Sequence, residues 1–306
     1  MWSIGELAEQ AGVTVKTVRF YSDRGLLPEA ARSAGGHRRY GPEALDRLRL
    51  IRSLRTLELP VSEVGRVLDR EDALEDVIAA QLRELGSRRA ALHWREAALR
   101  LLRDCTPEER PDRLRLIGAV SAPPNTAALA RFWRRVLPVG LPARLVSVII
   151  EAAVPQPPAD PTPGQVLVFA RLHALASDAR IVIDLCQPAF RLSDGGCRPA
   201  VLYDGLGEAC ALVSADLRAQ RPPHEGEALD CFVSAHARSR GMRDTPAFRQ
   251  QLSGLLTRMA NPPIDRYWQL AAELSGPRSG PPEPTLGAAD DWLRAALDTQ
   301  IGRPGL

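Results

Sequence analysis

The chain has 306 residues, about twice the size of a common domain, so we expect at least two domains. Hydrophobic residues make up 45% of it, which excludes a disordered chain, and aromatic residues only 5%, so Leu, Val and Ala must dominate its cores. The net charge of +3 is too small to indicate a nucleic-acid partner by itself. However, residues 1–55 hold ten Lys and Arg against six Asp and Glu, a local excess that favours contact with phosphates.

Signals for export or membrane insertion are not found. No stretch reaches the about 18 uninterrupted apolar residues of a membrane span, and the N-terminus lacks the basic-then-apolar layout of a secretion signal. The five cysteines are scattered without a Cys-x-x-Cys pair, which argues against a disulfide framework. We therefore expect a cytoplasmic protein with no membrane partner.

Two short helices joined by a glycine turn are predicted at the N-terminus. Ser3 caps the first helix, with Glu6 as its capping-box partner, and Gly12 ends it. A second helix begins after Thr14 and runs to Arg24. This pattern is the signature of a helix-turn-helix.

The second helix should present hydrogen-bond donors to solvent. Helical spacing turns Val15 and Val18 inward, so the other side chains reach outward. Donors of this kind meet phosphates and base edges in DNA. The candidates are Thr14, Lys16, Thr17, Arg19 and Tyr21.

A small β-wing is predicted over residues 28–42, where Gly35 and Gly36 form a hairpin-type turn within a basic segment. A helical pattern resumes at Glu43 and runs to about Leu57. Ser62 is then positioned to cap a further short helix.

A long helix is predicted over residues 73–104. Its apolar positions step by four and three, as in a coiled-coil seam, at Ile78, Leu82, Leu85, Leu92 and Leu99. Arg89 and Glu96 fall on the same seam.

The seam is self-complementary if two copies pack antiparallel about Leu92. Leu85 then meets the partner's Leu99, Leu82 meets the partner's Leu102, and Arg89 meets the partner's Glu96. The alternative is that the two charged side chains simply extend into solvent.

Residues 3–68 resemble the DNA-binding domain of the MerR (mercury-resistance regulator) family. The matching segments are Ser-Ile-Gly-Glu-Leu-Ala (3–8), Ala-Gly-Val-Thr-Val (11–15), Thr-Val-Arg-Phe-Tyr (17–21), Arg-Gly-Leu-Leu (24–27), Arg-Arg-Tyr (38–40) and, more loosely, Leu-Glu-Leu-Pro-Val-Ser-Glu-Val (57–64). One departure is Glu58, where the family more often has glycine.

This resemblance implies a recognition helix in the major groove and a wing on the DNA backbone. It places Lys16, Thr17, Arg19 and Tyr21 on the helix and Arg38, Arg39 and Tyr40 on the wing. Alternatively, Tyr40 packs the wing onto the helix and Arg39 pairs with Glu43.

The resemblance also implies a homodimer joined by the long helix. Members of the family bind double-stranded promoter DNA in the spacer between the two elements that RNA polymerase holoenzyme recognises, and they distort this spacer as a switch. A nucleoid-associated regulator is therefore expected.

Beyond residue 107, helical patterns separated by Pro and Gly predict an all-α region. They lie near 125–137, 141–154, 164–177, 199–219, 226–240, 246–260, 264–275 and 287–299. Residues 180–185 are compatible with a strand, although no nearby segment offers it a partner. The predicted organisation is mainly α: residues 1–72 as winged helix-turn-helix, 73–106 as dimerisation helix and 107–306 as helical effector domain.

The sequence of this region does not identify the signal that it senses. Cys105 lies where a metal-sensing relative would begin its site, but no second cysteine follows nearby, and His173 and His236 lack the Asp and Gly of the cobalamin-binding signature. No metal or cofactor is expected. A pocket for an unknown small molecule is the default, although core packing is the commoner role for each candidate. The candidates are Phe132, Trp133, Phe169, Tyr203, Phe232, Tyr267 and Trp268.

Other functions are weighed against this one. The helical region alternatively only dimerises or docks a partner protein, without a ligand. An enzyme is not expected, because the sequence has no Gly-x-Ser-x-Gly, His-Glu-x-x-His or phosphate-loop pattern. A structural nucleoid binder is disfavoured by the modest net charge.

Overall fold

The computed structural model describes residues 1–70, 72–185, 197–259, 261–275 and 284–302. The chain divides into two compact units, Met1–Arg88 and Arg89–Leu306. Each unit has buried clusters of its own.

The first unit combines short helices with one two-stranded sheet. Its elements are α1 (Ile4–Ala11), α2 (Val15–Asp23), β1 (Ala31–Arg32), β2 (Arg38–Arg39), α3 (Pro42–Thr56) and α4 (Val61–Asp69). The long helix α5 (Ala73–Arg103) begins in this unit and ends in the second.

The second unit is helical throughout its described residues. Its further elements are α6 (Arg110–Gly118), α7 (Ala127–Val136), α8 (Ala143–Ala153), α9 (Pro163–Ser177), α10 (Ala179–Leu185), α11 (Pro199–Arg218), α12 (Glu227–Ser239), α13 (Pro246–Arg258), α14 (Pro262–Leu274) and α15 (Leu286–Gly302). The mainly α fold expected from the sequence is confirmed.

The strand considered for residues 180–185 is a helix, α10. Asp178 accepts a hydrogen bond from the backbone N–H of Arg180 at 2.8 Å, which satisfies one free donor of the first turn. Val182 and Leu185 are both buried, and their spacing of three suits one helix face but not one strand face.

The helix-turn-helix is bounded by the predicted caps. Ser3 and Glu6 form a capping box, in which the Glu6 N–H donates to Ser3 Oγ and the Ser3 N–H donates to Glu6 Oε2. Gly12 ends α1 in the left-handed conformation, with φ 62°. Thr14 caps α2 by accepting from the Thr17 N–H at 3.1 Å.

The start of α4 differs from the prediction. Pro60, not Ser62, is the N-cap residue, and its carbonyl accepts the N–H of Val64. Ser62 therefore lies inside the first turn, because the extended conformation of Pro60 already starts the helix. Just before it, the backbone of Glu58 is left-handed, with φ 60°.

The core of the first unit joins its helices to the wing. Leu7 of α1, Val18 of α2, Leu48 and Ile51 of α3, and Tyr40 after β2 are all fully buried. These side chains anchor α1, α2, α3 and the wing in one core.

The second unit holds two clusters of buried side chains. One includes Trp94 of α5, Phe132 of α7, Phe169 of α9 and Tyr267 of α14. The other is formed by α11, α12, α13 and α15.

Helices α11 and α12 approach each other very closely at one point. A Cβ atom placed on Gly205 of α11 would lie 2.5 Å from the Cβ of Ala235 on α12. Only glycine leaves room for this approach.

None of the helices described is both long and apolar enough to cross a membrane. Within the same residues, no group of three or more His, Cys, Asp or Glu is arranged to hold a metal ion.

Candidate nucleic-acid interface

Helix α2 exposes two cations, Lys16 and Arg19, that no described residue neutralises. Lys16 and Arg19 are exposed, and neither forms an ion pair with any residue that the structure describes. Thr14 and Thr17 are joined at the start of the helix by a hydrogen bond of 2.9 Å between their hydroxyls. The beginning of α2 is thus polar and positively charged.

Two side chains of α2 lie on the opposite side from the one predicted. Val15 is 40% exposed, whereas Tyr21 is 8% exposed and joins the core beside Val18. The buried stripe is therefore set by Val18 and Tyr21, three residues apart, and Val15 lies in the solvent-facing first turn. The DNA contact expected of Tyr21 stays a prediction.

The sequence did not lead us to expect an exposed aromatic–cation pair at the end of α2. Phe20 is 41% exposed, and the Arg24 guanidinium lies 4.2 Å from the centre of its ring. A signal for this pair was present, because residues four apart share a helix face. Arg24 thereby adds a third cation, after Lys16 and Arg19, near this helix.

The wing is a short antiparallel hairpin extended by the N-terminus. Ala31 pairs with Arg39 and Arg32 with Arg38. Trp2 then exchanges two backbone hydrogen bonds with Tyr40, at 2.8 and 2.9 Å.

Tyr40 packs the wing onto α2, which is one of the two roles that the sequence left open for it. The ring is fully buried, and its hydroxyl donates to Ser22 Oγ at 2.9 Å. Ser22 also accepts a hydrogen bond from Arg38 at 3.2 Å. Nothing in the sequence spacing indicated Ser22, because its partners lie 16 and 18 residues away.

The two wing arginines are each engaged within the protein. Arg38 forms ion pairs with Asp23 and Glu29, and its hydrogen bond to Asp23 raises the pKa of the guanidinium above its ordinary value. Arg39 lies 3.9 Å from Glu6 and not in an ion pair with Glu43. Hydrogen bonds from Ser3 lower the pKa of Glu6, and the charge of Arg39 lowers it to a lesser extent.

This surface lies within a segment that matches known regulators. Residues 2–71 match the MerR HTH family of regulatory proteins. The ZntR homolog of Haemophilus influenzae, an HTH-type transcriptional regulator, is 32% identical over 121 residues, which cover 37% of this chain and 90% of that protein. The chain belongs to the MerR family of helix-turn-helix regulatory proteins.

Two further relatives are covered over less of their own length. Nodulation protein NolA of a Bradyrhizobium species is 40% identical over 84 residues, 28% of this chain and 35% of that protein. The transcriptional activator TipA of Streptomyces coelicolor is 37% identical over 117 residues, 36% of this chain and 46% of that protein. The chain thus matches about a third of NolA and under half of TipA.

Helix α5 of this MerR-family chain carries an apolar stripe that is open to solvent. Its members are Ile78, Leu82, Leu85, Leu92 and Leu99, which are between 42% and 64% exposed. Leu102 is half-buried, Arg89 and Glu96 are exposed, and Glu96 pairs with Arg100 at 2.6 Å.

The aromatic candidates for a ligand site separate into two groups. Trp133, Tyr203 and Trp268 line one cavity of about 240 Å³ in the second unit. The others, Phe132, Phe169, Phe232 and Tyr267, are fully buried in the cores, with at most 1% of each exposed.

Proposed function

We propose that this MerR-family protein is a transcription regulator that binds an inverted-repeat operator in a promoter spacer as a homodimer. The observation that carries this proposal is the exposure of Lys16 and Arg19 on α2, which form no ion pair with any described residue. The opposite side of α2 is anchored in the core by Val18 and Tyr21. A helix held in this way can enter the major groove with its cations directed at phosphates and base edges.

The wing supports the same mode of binding. Arg38 and Tyr40 both donate hydrogen bonds to Ser22 of α2, so the hairpin is joined directly to the helix. Arg38 positions the wing, while Arg39, 40% exposed and only loosely paired at 3.9 Å, is the wing arginine better placed to reach a phosphate.

The stripe on α5 supports a dimer. Leu74, at 37% exposure, extends it toward the start of the helix, and Leu99 lies 25 residues further along, roughly 37 Å at 1.5 Å per residue. An exposed apolar stripe of this length is costly in water and is covered by a second copy in the antiparallel register. The two-fold symmetry of such a dimer requires an inverted repeat in the DNA.

The effect on transcription is proposed to come from distortion of the spacer DNA, with RNA polymerase holoenzyme as the partner that reads the change. A small molecule bound in the helical region would control this distortion of the DNA. The cavity lined by Trp133, Tyr203 and Trp268 favours sensing over the alternative, in which the helical region only dimerises or docks a partner. A regulatory and not an enzymatic role, at the nucleoid, is part of this proposal.

The test is DNase footprinting of the purified chain across the promoters of its own gene and its neighbours, at a stated salt concentration. We expect a protected inverted repeat between the two promoter elements. Arg19→Ala should weaken protection roughly 10- to 100-fold, the cost of removing one base or phosphate contact. Arg88→Ala, which removes an equal charge from α5 outside α2 and the wing, serves as the matched control.

Three other footprinting results would contradict parts of the proposal. Full affinity in Arg19→Ala would contradict the recognition helix. Protection over the transcription start, and not in the spacer, would replace the distortion mechanism with a block to polymerase. Equal protection of unrelated DNA would indicate a nucleoid binder.

A further inference from the structure

The cavity of the second unit has aromatic walls. Trp133 of α7 and Trp268 of α14 are tilted by 38° with their ring centres 5.1 Å apart, and Tyr203 of α11 adds a third ring. Helix α15 packs against Trp268 at Gly287, where a Cβ atom would lie 2.2 Å from Cγ of Trp268. Glycine at this position is therefore part of the construction of the wall.

The same cavity carries an excess of negative charge. Three carboxylates line it, those of Asp265, Asp290 and Asp291, against the single guanidinium of Arg294 among its described residues. Arg294 is 2.6 Å from Asp290. Asp265 and Asp291 form no ion pair with any residue in the described ranges.

The crowding of these carboxylates is unfavourable. Burial raises the pKa of Asp290 above its ordinary value. Arg294 opposes this shift, and the neighbouring charges of Asp291 and Asp265 add to it. Burial and the charge of Asp265 raise the pKa of Asp291 as well. A positive charge placed between these groups would reverse the penalty.

Tyr203 provides a polar group at the wall of the cavity. Its phenol lines the cavity, and it makes no hydrogen bond to any described residue. Burial raises its pKa to about 12, so the hydroxyl stays neutral. A neutral hydroxyl can accept one N–H from a ligand while its own proton is directed to a carboxylate.

We propose that this cavity binds a small organic cation, a primary ammonium group attached to a flat apolar body. The ammonium would be held by Asp265, Asp290 and Asp291, and the body would stack on the indoles of Trp133 and Trp268. The inference rests on the proposed function, since it names the chemical class that the helical region would sense.

The size of the cavity limits the ligand. Its volume of about 240 Å³ lies below the range of roughly 300–1,000 Å³ that is usual for drug-sized ligands. A ligand with a single aromatic ring and a short aminoalkyl chain is of suitable size.

The cavity shares its core with the long helix. Trp133 contacts Phe132 and Tyr267, with ring centres 5.6 and 5.2 Å apart, and these side chains belong to the buried cluster that includes Trp94 of α5. An occupant that moves the indole therefore acts on side chains packed against α5.

The probe for this proposal is phenethylamine, titrated into the full-length chain by calorimetry without DNA. Two isosteres test the charge, neutral 2-phenylethanol and anionic phenylacetate. We expect saturable binding of the amine, at least tenfold weaker binding of the alcohol and none of the carboxylate. Equal binding of amine and alcohol, or no saturable binding of the amine, would overturn the proposal.

Substitutions locate the site. Asp265 and Asp291 are both exposed, so their replacement by Asn should leave folding intact. Asp265→Asn and Asp291→Asn should each weaken amine binding at least tenfold. The control is Asp298→Asn on the same helix as Asp291, whose amide can still accept the hydrogen bond from Ser253. Unchanged affinity in both Asp265→Asn and Asp291→Asn would place the amine elsewhere and refute the assignment.

The two proposals fail separately. Amine binding that persists in a chain that protects no operator would overturn the proposed function alone. A normal footprint from a chain that does not bind the amine would overturn only the cation site.

Discussion

His236 on α12 is buried as a neutral base. It is 5% exposed, and burial, together with the charges of Arg240 and Arg294, lowers its pKa to about 3. The unfolded chain, with a pKa near 6.5, therefore binds a proton at mildly acidic pH that the folded chain cannot accept. Stability from this residue is complete above pH 6.5 and falls as the pH is lowered toward 3.

The first prediction follows from this loss of stability at acidic pH. Between pH 6.5 and pH 5 the free energy of unfolding should fall by about 2 kcal/mol through His236 alone. His236→Gln, measured by urea unfolding at both pH values, should remove most of this decrease. His224→Gln, a change at an exposed histidine in the same unit, should retain it. If both variants show the same pH dependence, another group is responsible.

The second prediction concerns the backbone of Glu58. A left-handed conformation costs a non-glycine residue about 1–2 kcal/mol. Glycine avoids this cost, but it loses more conformational entropy on folding, which offsets part of the gain. Glu58→Gly should therefore stabilise the first unit by roughly 0.5–1 kcal/mol, seen as slower amide exchange in α3 and α4. Glu58→Ala keeps the strained backbone and should not. Equal stability of the two variants would show that the conformation carries no cost here.

At the scale of elements, the sequence predicted the features that depend on residues close together in the chain. The caps at Ser3 and Thr14, the end of α1 at Gly12 and the extent of α5 could all be derived from neighbours within four residues. The orientation of α2 could not, because Tyr21 is turned inward by tertiary packing. Similarly, α10 was ambiguous because a short apolar run has no clear period.

The third prediction belongs to α5. Leu85→Asp and Leu99→Asp together should convert the proposed dimer to a monomer, because each places a charge inside the proposed seam. The measurement is sedimentation velocity at several concentrations. A variant that remains dimeric would rule out the stripe as the interface.

The direction of the helices is tested by exchanging charges. Arg89→Glu alone and Glu96→Arg alone should each weaken the dimer, and the double exchange should restore it if the helices run antiparallel. A double variant no stronger than the single ones would contradict this register.

At the scale of the whole molecule, the candidate sites depend on distances in sequence that no motif records. Asp265, Asp290 and Asp291 line a cavity with Trp133, a residue from a much earlier helix. Arg38 finds its partners Asp23 and Glu29 only because the hairpin folds back on α2. The sequence could nominate residue types, but their assembly required the packed structure.

The fourth prediction is a property of the whole complex with DNA. Affinity for operator should fall linearly with the logarithm of salt concentration, because the cations displace counterions from phosphates. Lys16→Gln should reduce the magnitude of this slope by about one if Lys16 neutralises a single phosphate. Arg88→Gln, a change outside the proposed interface, should leave the slope unaltered. A slope unchanged in Lys16→Gln would mean that Lys16 binds no phosphate.

The close approach of Gly205 and Ala235 has a consequence for genetics. A methyl group at 205 would collide with the one at 235, at a cost of about 1–3 kcal/mol, so Gly205→Ala should behave as a temperature-sensitive allele. Its natural intragenic suppressor is Ala235→Gly, which exchanges the two residues and leaves the composition unchanged. A reporter strain grown at two temperatures would show whether the double mutant regains the regulation that the single mutant lacks. A selection for revertants of Gly205→Ala that never recovers position 235 would contradict this pairing.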